Sequence, residues 1–79
     1  MKARTIIRNT LKAMGVTPKL ANTNHNGDVR CHLKIAEFPS FAPPEFWEQY
    51  THVTDWLKGA EFEALKQQFN QENGYPLVY

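Results

Sequence analysis

The sequence predicts an α+β fold in a single domain, and three observations carry that expectation. Residues 2–14 repeat apolar side chains at helical spacing. Residues 24–35, "NHNGDVRCHLKI", open on a turn and then alternate apolar and polar side chains. Residues 44–72 hold two further helical patterns that fall out of phase at Gly59. A chain of 79 residues has no room for a second core.

In the first helix, at about 2–14, Ala3, Ile7, Leu11 and Met14 form one stripe with Ile6 beside it. Arg4, Arg8 and Lys12 step along a second stripe. Gly15 suits the left-handed position just past a helix end, and Pro18 prevents continuation.

A hairpin is expected over about 19–36. Asn26-Gly27 is a strong signal for a type I′ turn, in which both central residues need positive φ. That turn sets His25 opposite Asp28 and Leu20 opposite Leu33. Val29, Cys31, Leu33 and Ile35 then share the apolar face. Arg30, His32 and Lys34 share the other face with Lys19, Ala21, Thr23 and His25. Asn22 and Asn24 fall on the apolar side, which weakens the pairing near the turn.

A proline-punctuated aromatic loop spans 37–44. The second helix, at about 44–58, has Pro44 in its first turn and sets Phe46, Tyr50, Val53 and Leu57 on one face. The third, at about 60–72, turns Phe62, Leu65 and Phe69 inward and stops at Gly74. Residues 75–79, "YPLVY", read as extended, a candidate third strand beside the hairpin. The predicted core joins the apolar strand face to Ile7, Leu11, Phe46, Tyr50, Leu57 and Phe69.

The net charge of +1 conceals a split: residues 1–27 carry +5 with no acid, and residues 35–79 carry −5. Glu45 and Glu48 open the second helix, Lys58 closes it, and Glu61 and Glu63 open the third, all favourable to the helix dipole. Lys2 and Arg4 sit at the unfavourable end of the first helix. Solubility, pairing with the acidic helices, or an anionic ligand would each account for them. A targeting presequence would leave too small a remainder to fold.

Catalysis is not expected. No glycine-rich phosphate loop, nucleophile elbow or CxxC pair occurs, so no catalytic residue, metal ligand or cofactor is assigned. Cys31 and His32 are neighbours on a strand and point to opposite faces. Glu48, His52 and Asp55 follow helical spacing but lack an evident fourth ligand. The lone Cys31 excludes an internal disulfide, and a reducing, cytoplasmic setting is expected. No apolar run reaches the roughly 20 residues of a membrane-spanning helix.

The function expected is therefore interaction, by a small regulatory or inhibitory protein that docks on another protein. Accessory proteins of phages and other mobile elements fit this size. Phe38, Phe41, Trp47 and Trp56 are the candidate protein-binding residues, since exposed aromatics on a rigid loop make effective contact points. The alternative is nucleic-acid binding without sequence readout, through Arg4, Arg8, Lys12, Arg30 and Lys34. Self-association, with the basic helix of one copy on the acidic helices of another, is a third reading.

Overall fold

The computed structural model describes residues 1–38 and 44–79. Helix α1 (Ala3–Ala13) leads into strands β1 (Pro18–His25) and β2 (Asp28–Ile35). A 3-10 turn over Pro44–Phe46 runs into α2 (Trp47–Leu57); α3 (Ala60–Asn73) and the short strand β3 (Leu77–Val78) follow. The architecture is α+β, with the helices on one side of the sheet. The region expected as one helix from Pro44 thus begins as 3-10 and becomes α only at Trp47.

The hairpin takes the register that its turn dictates, with His25 opposite Asp28 and Leu20 opposite Leu33. Asn26 and Gly27 have φ of 55° and 84°, the paired positive values of a type I′ turn. Asn24 Oδ1 accepts the Gly27 amide at 3.1 Å, so the asparagine that looked misplaced on the apolar side serves the turn. Asn22 Nδ2 donates to the Tyr75 hydroxyl at 3.0 Å. Both asparagines remain exposed because the distal half of the hairpin extends beyond its helical cover. At the other end, Glu37 accepts from the Thr17 amide at 2.8 Å and from its hydroxyl at 2.9 Å.

Strand β3 lies beside β2 in parallel, giving the order β1-β2-β3. Cys31, Leu33 and Ile35 are buried with Ala3, Ile7, Leu11, Val53, Leu57, Phe62, Leu65, Phe69 and Leu77. Burying a ring such as Phe62 or Phe69 contributes roughly 2–3 kcal/mol. Tyr50, expected inward, is 42% exposed instead. Its ring meets Phe38 edge-on at 5.0 Å, outside the main core.

Helix α1 ends in a Schellman motif: Val16 N–H donates to Leu11 O and Gly15 N–H to Lys12 O, with Val16 and Leu11 both buried. Gln49 Nε2 adds a bond to the Met14 carbonyl at 2.9 Å. The start of α1 has no capping side chain of its own and no acid in its first turn. Glu72 of α3 supplies the missing anion, accepting the Ala3 amide at 2.9 Å and a bond from Gln68 Nε2 at 3.0 Å. Arg4 lies over the Phe69 ring at 5.7 Å. The basic start of α1 is thereby compensated within the chain.

Two outcomes are expected. Gly15 has φ of 86° and an added Cβ would collide with Gln49 Nε2, so Gly15→Ala should destabilise by about 1–2 kcal/mol in urea unfolding. A loss near zero would contradict the motif. The Glu37 carboxyl is held below its ordinary range chiefly by the Thr17 amide, and that of Glu72 chiefly by Gln68 and then Ala3. The folded state therefore releases these protons more readily than the unfolded chain. Their stabilisation is present above the ordinary carboxylate range and is lost as pH falls through the lowered values. Melting temperature should fall on acidification, and the Glu37→Gln/Glu72→Gln double variant should flatten that slope.

A candidate docking site at the end of the sheet

The end of the sheet remote from the turn carries an open cavity of about 480 Å³, lined by Lys19, Leu33, Lys34, Ile35, Ala36, Phe38 and Tyr79. Each wall follows from the local fold. Strand alternation delivers Leu33 and Ile35 on one face and Lys34 on the other. The turn after Ile35, closed by the Phe38 amide on the Ile35 carbonyl at 3.0 Å, brings Phe38 back over the strand end. Pairing of Leu77 with Cys31 and Val78 with His32 carries Tyr79 to the level of Leu33. Tyr79 is 57% exposed, yet partial burial raises its phenol pKa, with the nearby Tyr50 adding to the effect.

The volume lies within the range of small-ligand or side-chain pockets, and the lining is mostly apolar. Two cations border it. Lys19 and Lys34 are direct cross-strand partners on the exposed face of the hairpin. The ion pairs among the described residues are Arg30–Asp28 and Lys66–Glu63, so neither lysine of this pair is neutralised there. Like charges directly opposite on a sheet are unfavourable. A greasy hollow flanked by two unneutralised ammonium groups suits an apolar side chain carried next to a carboxylate. A second cavity of about 450 Å³, lined by Met14, Glu45, Phe46, Glu48, Gln49 and His52, includes the glutamine that holds the end of α1.

Of the candidate aromatics, Phe38 lines the cavity, and Phe41 lies outside the described residues. Trp47, at the start of α2, is 59% exposed. Trp56 is half-buried, stacked at a tilt on Phe62 at 5.2 Å, with its indole Nε1 enclosed and without a hydrogen-bond partner among the described residues. Its position is that of a packing residue at the core margin.

The five candidate nucleic-acid residues are not gathered together. Arg4 is half-buried against Phe69, on the helical side of the sheet. Its proximity partly offsets the rise that burial imposes on the Cys31 thiol pKa. Arg8 and Lys12 are exposed along α1. Arg30 and Lys34 point to the opposite face of the sheet, where both nitrogens Nε and Nη2 of Arg30 contact Asp28 Oδ2 at 3.1 and 3.0 Å. Lys34 alone of the five lines the cavity.

On that face His32 Nε2 meets Thr23 Oγ1 at 3.0 Å, while Cys31 is buried on the other. Glu48, His52 and Asp55 are exposed along α2, and no group of three potential metal ligands occurs among the described residues. No helix among them is long and apolar enough to cross a membrane.

Lys19, Leu33, Ile35, Ala36 and Tyr79 were not legible as site residues. Lys19 could have been found, because the predicted register already set it opposite Lys34. Tyr79 could not, because nothing in "YPLVY" specifies a parallel pairing with β2. No family model matches the chain, and no curated protein or solved structure matches it either.

Replacing one lysine of the pair separates stability from binding. Lys34→Glu should raise folding stability by about 0.2–1 kcal/mol, since it exchanges a cross-strand repulsion for an attraction. Chemical denaturation at low salt measures it. A clear loss of stability would show that Lys34 is held by a structural role instead.

Proposed function

We propose that this chain is a small non-catalytic docking protein, regulatory or inhibitory in action, that seats an apolar side chain of an acidic partner protein in the cavity at the sheet end. The observation that carries this reading is the coincidence of an open apolar hollow with a lysine pair that has no ion-pair partner among the described residues. Filling such a hollow with one Leu or Phe side chain contributes roughly 1.5–3 kcal/mol. Each exposed lysine–carboxylate pair adds about 0.2–1 kcal/mol. Those terms alone support a weak, rapidly reversible contact, so a tight complex would need a wider surface. Trp47, exposed at the head of α2, is the candidate aromatic to extend it.

The size and charge pattern suit an accessory protein of a phage or other mobile element acting in the cytoplasm. The nucleic-acid reading takes second place, because the five basic residues are divided between two sides of the sheet and Arg4 and Arg30 already have intramolecular contacts.

Affinity capture from cell lysate, with and without nuclease, tests the proposal. A protein partner should survive nuclease treatment and be lost with Phe38→Ala or Lys34→Glu. Capture that disappears on nuclease treatment, or that ignores both substitutions, would contradict it. Circular dichroism of each variant establishes that the fold is retained.

A further inference from the structure

Strand β1 forms one edge of the sheet, whose order is β1-β2-β3. The Ala36 amide donates to Thr17 O at 3.1 Å, so odd-numbered residues before the turn aim their backbone groups at β2. Leu20, Asn22 and Asn24 therefore aim theirs outward, with no strand opposite them among the described residues. Phe38, bonded to Ile35, and Glu45, beside Met14, both lie at the sheet end remote from the turn. The chain joining them can span at most about 25 Å, whereas a run out to Asn24 and back would need about 40 Å.

Edge strands are ordinarily blunted by bulges, prolines or charges. β1 pairs with β2 without a bulge through all eight of its residues. Its proline is at the first position, and its single charged side chain besides the terminal His25 is Lys19. The flank above the edge is uncharged as well. α1 lies over β1 and α3 over β3, and Arg4 on the Phe69 ring marks the side of α1 that faces α3. Ile6 and Thr10 lie about 200° round the helix from Arg4 and Arg8, on the side of the open edge. Ile6 and Leu20 are both half-buried there at the core margin.

We infer that β1 pairs antiparallel with β1 of a second copy, about a two-fold axis at Ala21, joining the two sheets into one. In this register Leu20 and Asn22 of one copy exchange backbone hydrogen bonds with Asn22 and Leu20 of the other, and Ala21 faces Ala21. Lys19 falls opposite Thr23, so no like charges are opposed; an axis at Asn22 would set Lys19 against His25. The uncharged flank selects this occupant over an acidic strand, for which Lys19 would be the one cation on the edge. A second copy brings its own Ile6 and Leu20 to the same flank. So narrow a contact makes a weak dimer. It also brings together two basic halves, each carrying +5 over residues 1–27, so association strengthens as salt screens them. The cavity beside Phe38 and Tyr79 lies toward the other edge, and the inference stands apart from the docking reading.

Sedimentation equilibrium of the full chain from about 10 µM to about 1 mM tests the pairing. The mean mass should rise from 9.2 kDa toward twice that value, further at about 0.5 M salt than at about 0.02 M. The Asn22 amide, open in the dilute monomer, should gain protection with concentration. Asn22→Pro deletes that outward amide without touching the β1–β2 ladder and should abolish association, while Asn22→Ala should retain it. Ala21→Lys and Ala21→Glu should each associate about threefold more weakly, and an equal mixture of the two should recover the parent's association. Circular dichroism checks the fold of every variant, and the Ala21 mixture keeps the test decisive if Asn22→Pro does not fold.

A mass that stays at the monomer value in high salt would overturn the inference. So would association that ignores Asn22→Pro in a folded variant, or an Ala21 mixture no stronger than its components. Association weakened by salt would overturn it in favour of the basic helix of one copy on the acidic helices of another.

Discussion

Because side chains alternate along a strand, β2 turns Cys31, Leu33 and Ile35 toward the helices and Arg30, His32 and Lys34 away from them. This one-sided burial organises the rest of the molecule. The helices must gather on one face, since only that face has apolar surface to cover. α1 contributes Ala3, Ile7 and Leu11 to the contact, and α3 contributes Phe62, Leu65 and Phe69. The opposite face is left to polar and basic side chains. A one-residue slip in register would reverse the faces and bury three cationic or titratable side chains. The Asn26-Gly27 turn guards against that slip by fixing which residues face each other.

The charge asymmetry divides into two parts under this arrangement. Its helical part is internal: Glu72 caps α1 from outside, and Arg4 covers the Phe69 ring. The start of α1 is thus a junction with α3, and its basic character has a structural partner. The lysine pair on the sheet has no such partner among the described ion pairs. Surface charges contribute little to stability on average, so an unneutralised pair beside an apolar hollow carries more information about binding than the total charge does.

Much of the fold was legible in the sequence because local rules and tertiary packing agree. The period-two pattern after Gly27, the turn dipeptide and the glycine stop signals each determined an element. The inward side chains of α3 followed from spacing alone. Tyr50 departed from its predicted burial because helical phase says which residues share a face and nothing about how far the covering layer extends. The second helix reaches beyond the main core at its N-terminal end, so the stripe is buried only from Val53 onward. Trp56 had the composition of an interface residue but lies against Phe62. The candidate site was only half legible. Phe38 and Lys34 were each singled out, for two different functions, and only the turn after Ile35 brings them to one cavity. Parallel pairing of β3, which places Tyr79, depends on long-range packing that no local pattern encodes.

Residue-resolved amide hydrogen exchange on the folded chain tests the half-covered sheet most directly. The Cys31 amide, bonded to Pro76 O beneath the helices, should exchange only on global unfolding. The Asn22 amide, on the outer edge of β1 by the same alternation, should exchange with little protection. Comparable protection at both positions, or rapid exchange at Cys31, would contradict the account.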